Sequence, residues 1–175
     1  LASDMKLTFS LSKLISIIIL CVFIVTQFID APWNREGAVI KSDIKGYYAY
    51  LPAIFIHNDI NFKNKEVYWE NNESKVWFSQ TPEGVRYIKY SIGTAVLYAP
   101  FFGMAHFYAG ITDFPQDGFS KPYLFALSMS SLVFLVLAFY FMRKSLLVFF
   151  GETAVGLTLA IIFLGTNVWN YYTFD

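Results

Sequence analysis

Residues 11–30 read LSKLISIIILCVFIVTQFID, and Leu14–Ile29 carries no charge and is rich in Ile, Val, Leu and Phe. At about 1.5 Å per residue, about 20 residues cross the roughly 30 Å hydrocarbon core of a bilayer. The segment reaches that length if Lys13 extends its ammonium to the headgroups. A cleaved signal peptide would need a small-x-small site, and Phe28-Ile29-Asp30-Ala31-Pro32 offers a poor one. The run therefore reads as a retained anchor. Lys6 and Lys13 precede it and place the N-terminus in the cytoplasm.

The other apolar runs extend this reading to the whole chain. Of its 175 residues 56% are hydrophobic and 15% charged, against about 45–50% and about 25% in a soluble domain. Residues 91–111, 122–142 and 153–169 are nearly uncharged, whereas 57–90 hold a large share of the charge. That clustering is how a polytopic membrane protein distributes its residues. The net charge is zero, which offers nothing to a nucleic acid. Cys21 is the single cysteine, so no intrachain disulfide can form. No nucleotide-binding loop, zinc signature, nucleophile elbow or CxxC is present. Met5-Lys6-Leu7 reads as a natural start, and the chain stops at Asp175 with no polar tail after an apolar run. Both features suggest the N-terminal piece of a larger protein.

The expected fold is an all-α membrane protein with spans over about 11–29, 123–142 and 153–170 and a long outer loop over about 30–122. Within the loop, 42–56 suits an interfacial helix. Ser42 can cap it, Asp43 lies in its first turn, and Tyr47, Tyr48 and Tyr50 match the headgroup level. Residues 57–74 look polar and irregular. Lys75–Ser79 and Val85–Tyr90 alternate around Thr81-Pro82-Glu83-Gly84, which predicts a small β-hairpin. Asn72-Glu73-Ser74 matches a glycosylation sequon, a pattern too common to carry weight.

Ser91–Ile111 decides the span count. It contains Gly93, Pro100, Gly103, His106 and Gly110. If it crosses, there are four transmembrane helices and Arg143-Lys144 lies outside. If it is an interfacial helix, there are three, and Arg143-Lys144 joins Lys6 and Lys13 in the cytoplasm, which satisfies the positive-inside rule. Three spans is the preferred arrangement. Thr153–Trp169 then runs outward and delivers Tyr171-Tyr172-Thr173-Phe174-Asp175 to the face that carries Asp43.

An acid in a helix's first turn favours the dipole by about 0.3–1 kcal/mol and needs no other purpose. Two carboxylates at one membrane face, each beside tyrosines, add a chemical option: they can hold a divalent metal or divide base and electrostatic roles. His57 and His106 lie far apart in sequence, and His106 on an apolar helix reads as a packed or interfacial residue.

The order of these elements resembles the N-terminal module of the GT-C glycosyltransferases, polytopic enzymes whose sugar donor is linked to a polyprenyl phosphate. The similarity is to bacterial relatives of the protein mannosyltransferase and aminoarabinose transferase families. Asp43 in SDIKGYYAYLPA matches that fold's acid after the first span. Lys89-Tyr90-Ser91-Ile92-Gly93 matches the opening of its second interfacial helix, and Asp175 after GTNVWNYYTF matches its second acid. Ser91-Ile92 stands where the family often has a proline pair. The resemblance implies that Asp43 and Asp175 are catalytic, with Asp43 the general base and Asp175 holding a metal or orienting the donor. It also implies a metal shared by Asp43 and Asp175, and substrate contacts from Lys45, Tyr47, Arg86, Lys89 and Tyr90. The cations among these would offset charge on the departing phosphate. The implied setting is the cell envelope, in a bacterial inner membrane, with the acceptor at the non-cytoplasmic face. The competing reading is a non-catalytic polytopic protein, such as an assembly subunit or flippase-like component. A transporter fits less well, because the apolar runs lack a charge near their centres.

Overall fold

A computed structural model describes residues 10–64, 68–70, 73–74, 76 and 78–168 of the chain. The helices are α1 (Leu11–Asp30), α2 (Ser42–Tyr48), α3 (Tyr50–Phe55), α4 (Gly93–Gly110), α5 (Lys121–Leu146) and α6 (Glu152–Gly165). The strands are β1 (Trp69–Glu70), β2 (Glu73–Ser74), β3 (Ser79–Gln80) and β4 (Arg86–Tyr87). The described residues fall into two compact units, 10–30 with 131–168, and 31–130. Helix α5 contributes residues to both.

In the first unit, α1 packs on α6 and on the second part of α5. Ser12, Ile19, Phe23 and Gln27 are the buried residues of α1 and form one helical stripe. Phe23 is fully buried, with its ring 5.1 Å from that of Phe163 and 6.2 Å from that of Phe139. On α6, Val155, Leu159 and Phe163 recur every four residues against it. Gly156 permits the approach, since a Cβ there would stand 2.9 Å from Ile15 Cδ1 and 3.4 Å from Ser12 Cα.

One end of this unit is polar. Arg143, in the last turn of α5, donates to Ser12 Oγ (2.7 Å) and Ser10 Oγ (3.0 Å) and pairs with Glu152 at the start of α6 (3.2 Å). Ser12 Oγ in turn donates to Glu152 Oε2. The start of α1 therefore meets the end of α5, and α1 and residues 131–146 run antiparallel.

Among the described residues, two helices are long and apolar enough to cross a membrane: α1, with its continuation to Asn34, and α5. α1 spans the expected segment. α5 extends to Leu146 and so takes in Arg143 and Lys144, cations that suit a helix C-terminus. α6 has 14 residues and is about 21 Å long, shorter than the expected span, whose last residues lie outside the described ones.

The second unit holds the rest. The expected helix over 42–56 is two short helices that join at Ala49. Pro52 explains the break: it has no N–H for the Tyr48 carbonyl, and its ring crowds that carbonyl. Ser42 does not cap α2; Lys41 is the N-cap without a side-chain hydrogen bond, and Ser42 itself has φ 44°. α4 buries Ala95, Phe102, Ala105 and Ala109 along one face against Tyr48, Leu51, Tyr123 and Leu127. A second cluster joins Ala49, Ala53, Phe62, Tyr68, Val76 and Ile88. The hairpin forms as the turn residues predict, β3 pairing antiparallel with β4 and Thr81 N–H bonded to the Val85 carbonyl (2.8 Å). β1 pairs with β2 in the segment expected to be irregular. A two-residue ladder is too short to leave an alternating pattern.

Candidate functional site

Asp43 is exposed in the first turn of α2, the position its sequence predicts. Its partner comes from the end of the hairpin: the Tyr90 hydroxyl donates to Asp43 Oδ1. This bond raises the Tyr90 phenol above its ordinary value, because ionising it would set two anions side by side. Lys89 partly opposes the shift, with its ammonium 4.9 Å from the Tyr90 ring centroid. The Tyr47 ring lies 4.7 Å from the same ring at 55°.

Tyr90 is fixed from two further directions. Its ring rests on Gly46, where an added Cβ would stand 2.0 Å from Tyr90 Cδ2 and 2.5 Å from Cε2. Its carbonyl accepts the Tyr50 hydroxyl (2.7 Å). Helix α2 is anchored below by Tyr48, which is buried and donates to the Gly118 carbonyl. Burial holds the Tyr48 phenol well above its usual range. Gly118 has φ 81°, and a Cβ there would come within 2.9 Å of Pro52 Cβ. These contacts fix the bed of the site, leaving Asp43, Tyr47, Lys89 and Tyr90 together at its surface.

The other expected residues are elsewhere. Lys45 shares α2, but two positions from Asp43 puts it on a different side of the helix. Arg86 turns to the loop before the strands: its Nη1 donates to the carbonyls of Phe62 (2.5 Å) and Lys63 (3.3 Å), and its guanidinium lies 5.1 Å from the Phe78 ring centroid. Phe62 has φ 50°, so Arg86 clamps a backbone turn that needs support. Asp59 supports the same loop by accepting the Lys63 and Asn64 N–H groups at 2.9 and 2.8 Å. Asp175 lies outside the described residues. Among the described residues no group of three or more His, Cys, Asp or Glu is placed to hold a metal. His106 packs, stacked on Phe102 and with Nδ1 2.6 Å from the Tyr123 hydroxyl.

Gly46, Tyr48 and Tyr50 are the residues the sequence did not single out for this site. Their one signal was the density of tyrosine around a glycine, which an interfacial helix explains equally well. Chemically, the arrangement is a carboxylate with one oxygen held by a phenol, beside a lysine, on an aromatic platform. Such a carboxylate can take a proton through its other oxygen. No known protein family, curated protein or solved structure matches this chain.

Proposed function

We propose that the chain is part of a membrane glycosyltransferase that moves a sugar from a polyprenyl-phosphate donor to an acceptor at the non-cytoplasmic face of a bacterial inner membrane. The observation that carries this reading is the exposed Asp43 carboxylate, held by Tyr90 beside Lys89, soon after an apolar helix long enough to span.

In this reading Asp43 removes the proton of the acceptor hydroxyl. The hydroxyl oxygen attacks the anomeric carbon from the face opposite the phosphate, the bond to the phosphate oxygen breaks, and polyprenyl phosphate leaves with inversion. The Lys89 ammonium offsets the charge that develops on that phosphate, with Lys45 a further cation on α2. Tyr47 and Tyr90 offer ring faces for a sugar. Arg86 is assigned a structural part, because its Nη1 donates to two backbone carbonyls. Asp43 gives one oxygen to the Tyr90 phenol and keeps the other for the acceptor proton.

The topology proposed with it has three crossings, by α1, α5 and the segment beginning with α6. The antiparallel run of α1 and α5 supports it, since a full crossing by α4 would have made them parallel. Arg143 and Lys144 then share the cytoplasmic face with Lys13.

The test is transfer by the full-length protein in membranes, read as release of polyprenyl phosphate from a panel of polyprenyl-phosphate sugars. Asp43→Asn should abolish release while membrane insertion is unchanged. Release at the wild-type rate would remove Asp43 as the base, whereas no release by the wild type from any donor of the panel would favour the non-catalytic reading.

A further inference from the structure

The turn between α5 and α6 combines features that a water-facing turn does not need. Val148, Phe149 and Phe150 are 74%, 79% and 57% exposed and form an apolar tip. The amides beneath them are already satisfied. The N–H groups of Leu147, Val148, Phe149 and Phe150 donate to the carbonyls of Arg143, Ser145, Leu146 and Leu146 at 3.1, 3.3, 3.1 and 2.9 Å. The charges at the base of the tip are also paired, Arg143 with Glu152 and both with Ser12. Lys144 lies back along α5, its ammonium 5.3 Å from the Tyr140 ring centroid.

We propose that this turn is a membrane-interface tip, with Phe149 and Phe150 lodged among lipid headgroups and upper acyl chains. Three observations select lipid over a protein partner. The tip continues two apolar helices, one of them long enough to span. Its four amides ask nothing of water, which lowers the cost of placing this backbone at the bilayer interface. The nearby tyrosine and lysine mark headgroup level, and α5 at 26 residues is about 39 Å long, close to the roughly 40–45 Å of a bilayer with its headgroups. Arg143 is paired with Glu152, and both lie at the helix ends, where charged side chains reach the headgroups. The inference rests on the membrane placement of α5 proposed above and is independent of the transferase chemistry.

The test is nitroxide accessibility of the chain in phosphatidylethanolamine–phosphatidylglycerol vesicles. Single cysteines at Leu137, Phe149, Phe150 and Glu83 are labelled in a Cys21→Ala background, and collision with oxygen and with a water-soluble nickel complex is measured. The expected result is high oxygen access at Phe149 and Phe150, with nickel access several-fold below that at Glu83. Nickel access equal to that at Glu83 would overturn the proposal in favour of a water-exposed tip. Protection from both reagents would overturn it in favour of a covering protein, a second copy included. Leu137, exposed on α5, separates the premises: lipid access there with water access at Phe149 fails the tip alone, whereas water access at Leu137 fails the membrane placement itself.

Discussion

The Tyr90 hydroxyl reaches back 47 residues to donate to Asp43 Oδ1, while the Tyr90 ring covers Gly46 one helical turn further along α2. One side chain thereby joins the exit of the β-hairpin to the carboxylate and to the helix that presents it. A carboxylate in a first helical turn would otherwise be free to choose among rotamers. Tyr90 chooses for it, and leaves Oδ2 as the oxygen available for a proton.

The first prediction concerns the phenol. Its folded value is raised by donation to Asp43, so the bond's contribution is complete below the ordinary tyrosine value of 10.0 and is lost as pH rises through the raised one. Asp43→Asn should bring the Tyr90 titration down. The measurement is Cζ chemical shift against pH in tyrosine-labelled protein, with Tyr90→Phe assigning the signal. An unchanged titration in Asp43→Asn would mean that the two groups do not meet.

Gly46→Ala should destabilise the chain although alanine is the better helix former. Propensity alone favours alanine by about 1 kcal/mol. The new Cβ, however, would stand 2.0 Å from the Tyr90 ring, an overlap that costs about 1–3 kcal/mol unless the ring leaves. In a Tyr90→Ala background the overlap is gone, and the same change should become neutral or stabilising. Thermal unfolding of the four proteins of this cycle gives the sign; a Gly46→Ala effect identical in both backgrounds would rule the contact out.

Much of the frame was legible before any coordinates. Length and lack of charge were enough for α1 and α5, and Thr81-Pro82-Glu83-Gly84 was enough for the hairpin, because these signals are local. Asp43 was visible for the same reason. The contact with Tyr90 was not, since nothing local in Lys89-Tyr90 says which helix it will meet. Arg86 looked like a phosphate ligand because charge is read from residue type, while its use by the Phe62 and Lys63 carbonyls depends on a left-handed turn at Phe62 that no motif announces. The break at Ala49 was there to be seen in Pro52, and the aromatic run on both sides concealed it.

Two glycines with positive φ separate backbone strain from crowding. Gly118 and Gly37 have φ 81° and 68°, but a Cβ on Gly118 meets Pro52 Cβ at 2.9 Å and Ile56 Cδ1 at 3.3 Å, while one on Gly37 meets nothing within 4 Å. Gly37→Ala should cost about 1–2 kcal/mol, the left-handed penalty. Gly118→Ala should cost that and about 1–3 kcal/mol more for the overlap, and should also disturb the bond from Tyr48 to its carbonyl. Equal shifts in unfolding temperature for the two variants would show that the α3 face yields freely.

The pair Arg143–Glu152 supports a prediction about how three helix ends are held. Its side chains are 22% and 43% exposed, so solvent screens the pair and breaking it should cost much less than breaking a fully buried one. Arg143→Leu leaves Glu152 with the uncharged partners Ser10 and Ser12, and Glu152→Gln strands the guanidinium among Ser10, Ser12 and a neutral amide. The exchange Arg143→Glu with Glu152→Arg restores opposite charges but reverses both helix-end preferences. A carboxylate then sits at the C-terminus of α5 and a cation at the N-terminus of α6, each unfavourable by about 0.3–1 kcal/mol. The exchanged protein should therefore be more stable than the sum of its single variants and less stable than the wild type, as read by thermal unfolding in detergent micelles. Strict additivity of the two single changes would mean that the charges do not interact, and the polar end of the first unit would then have to be held by Ser12 and the Gly156 contact alone.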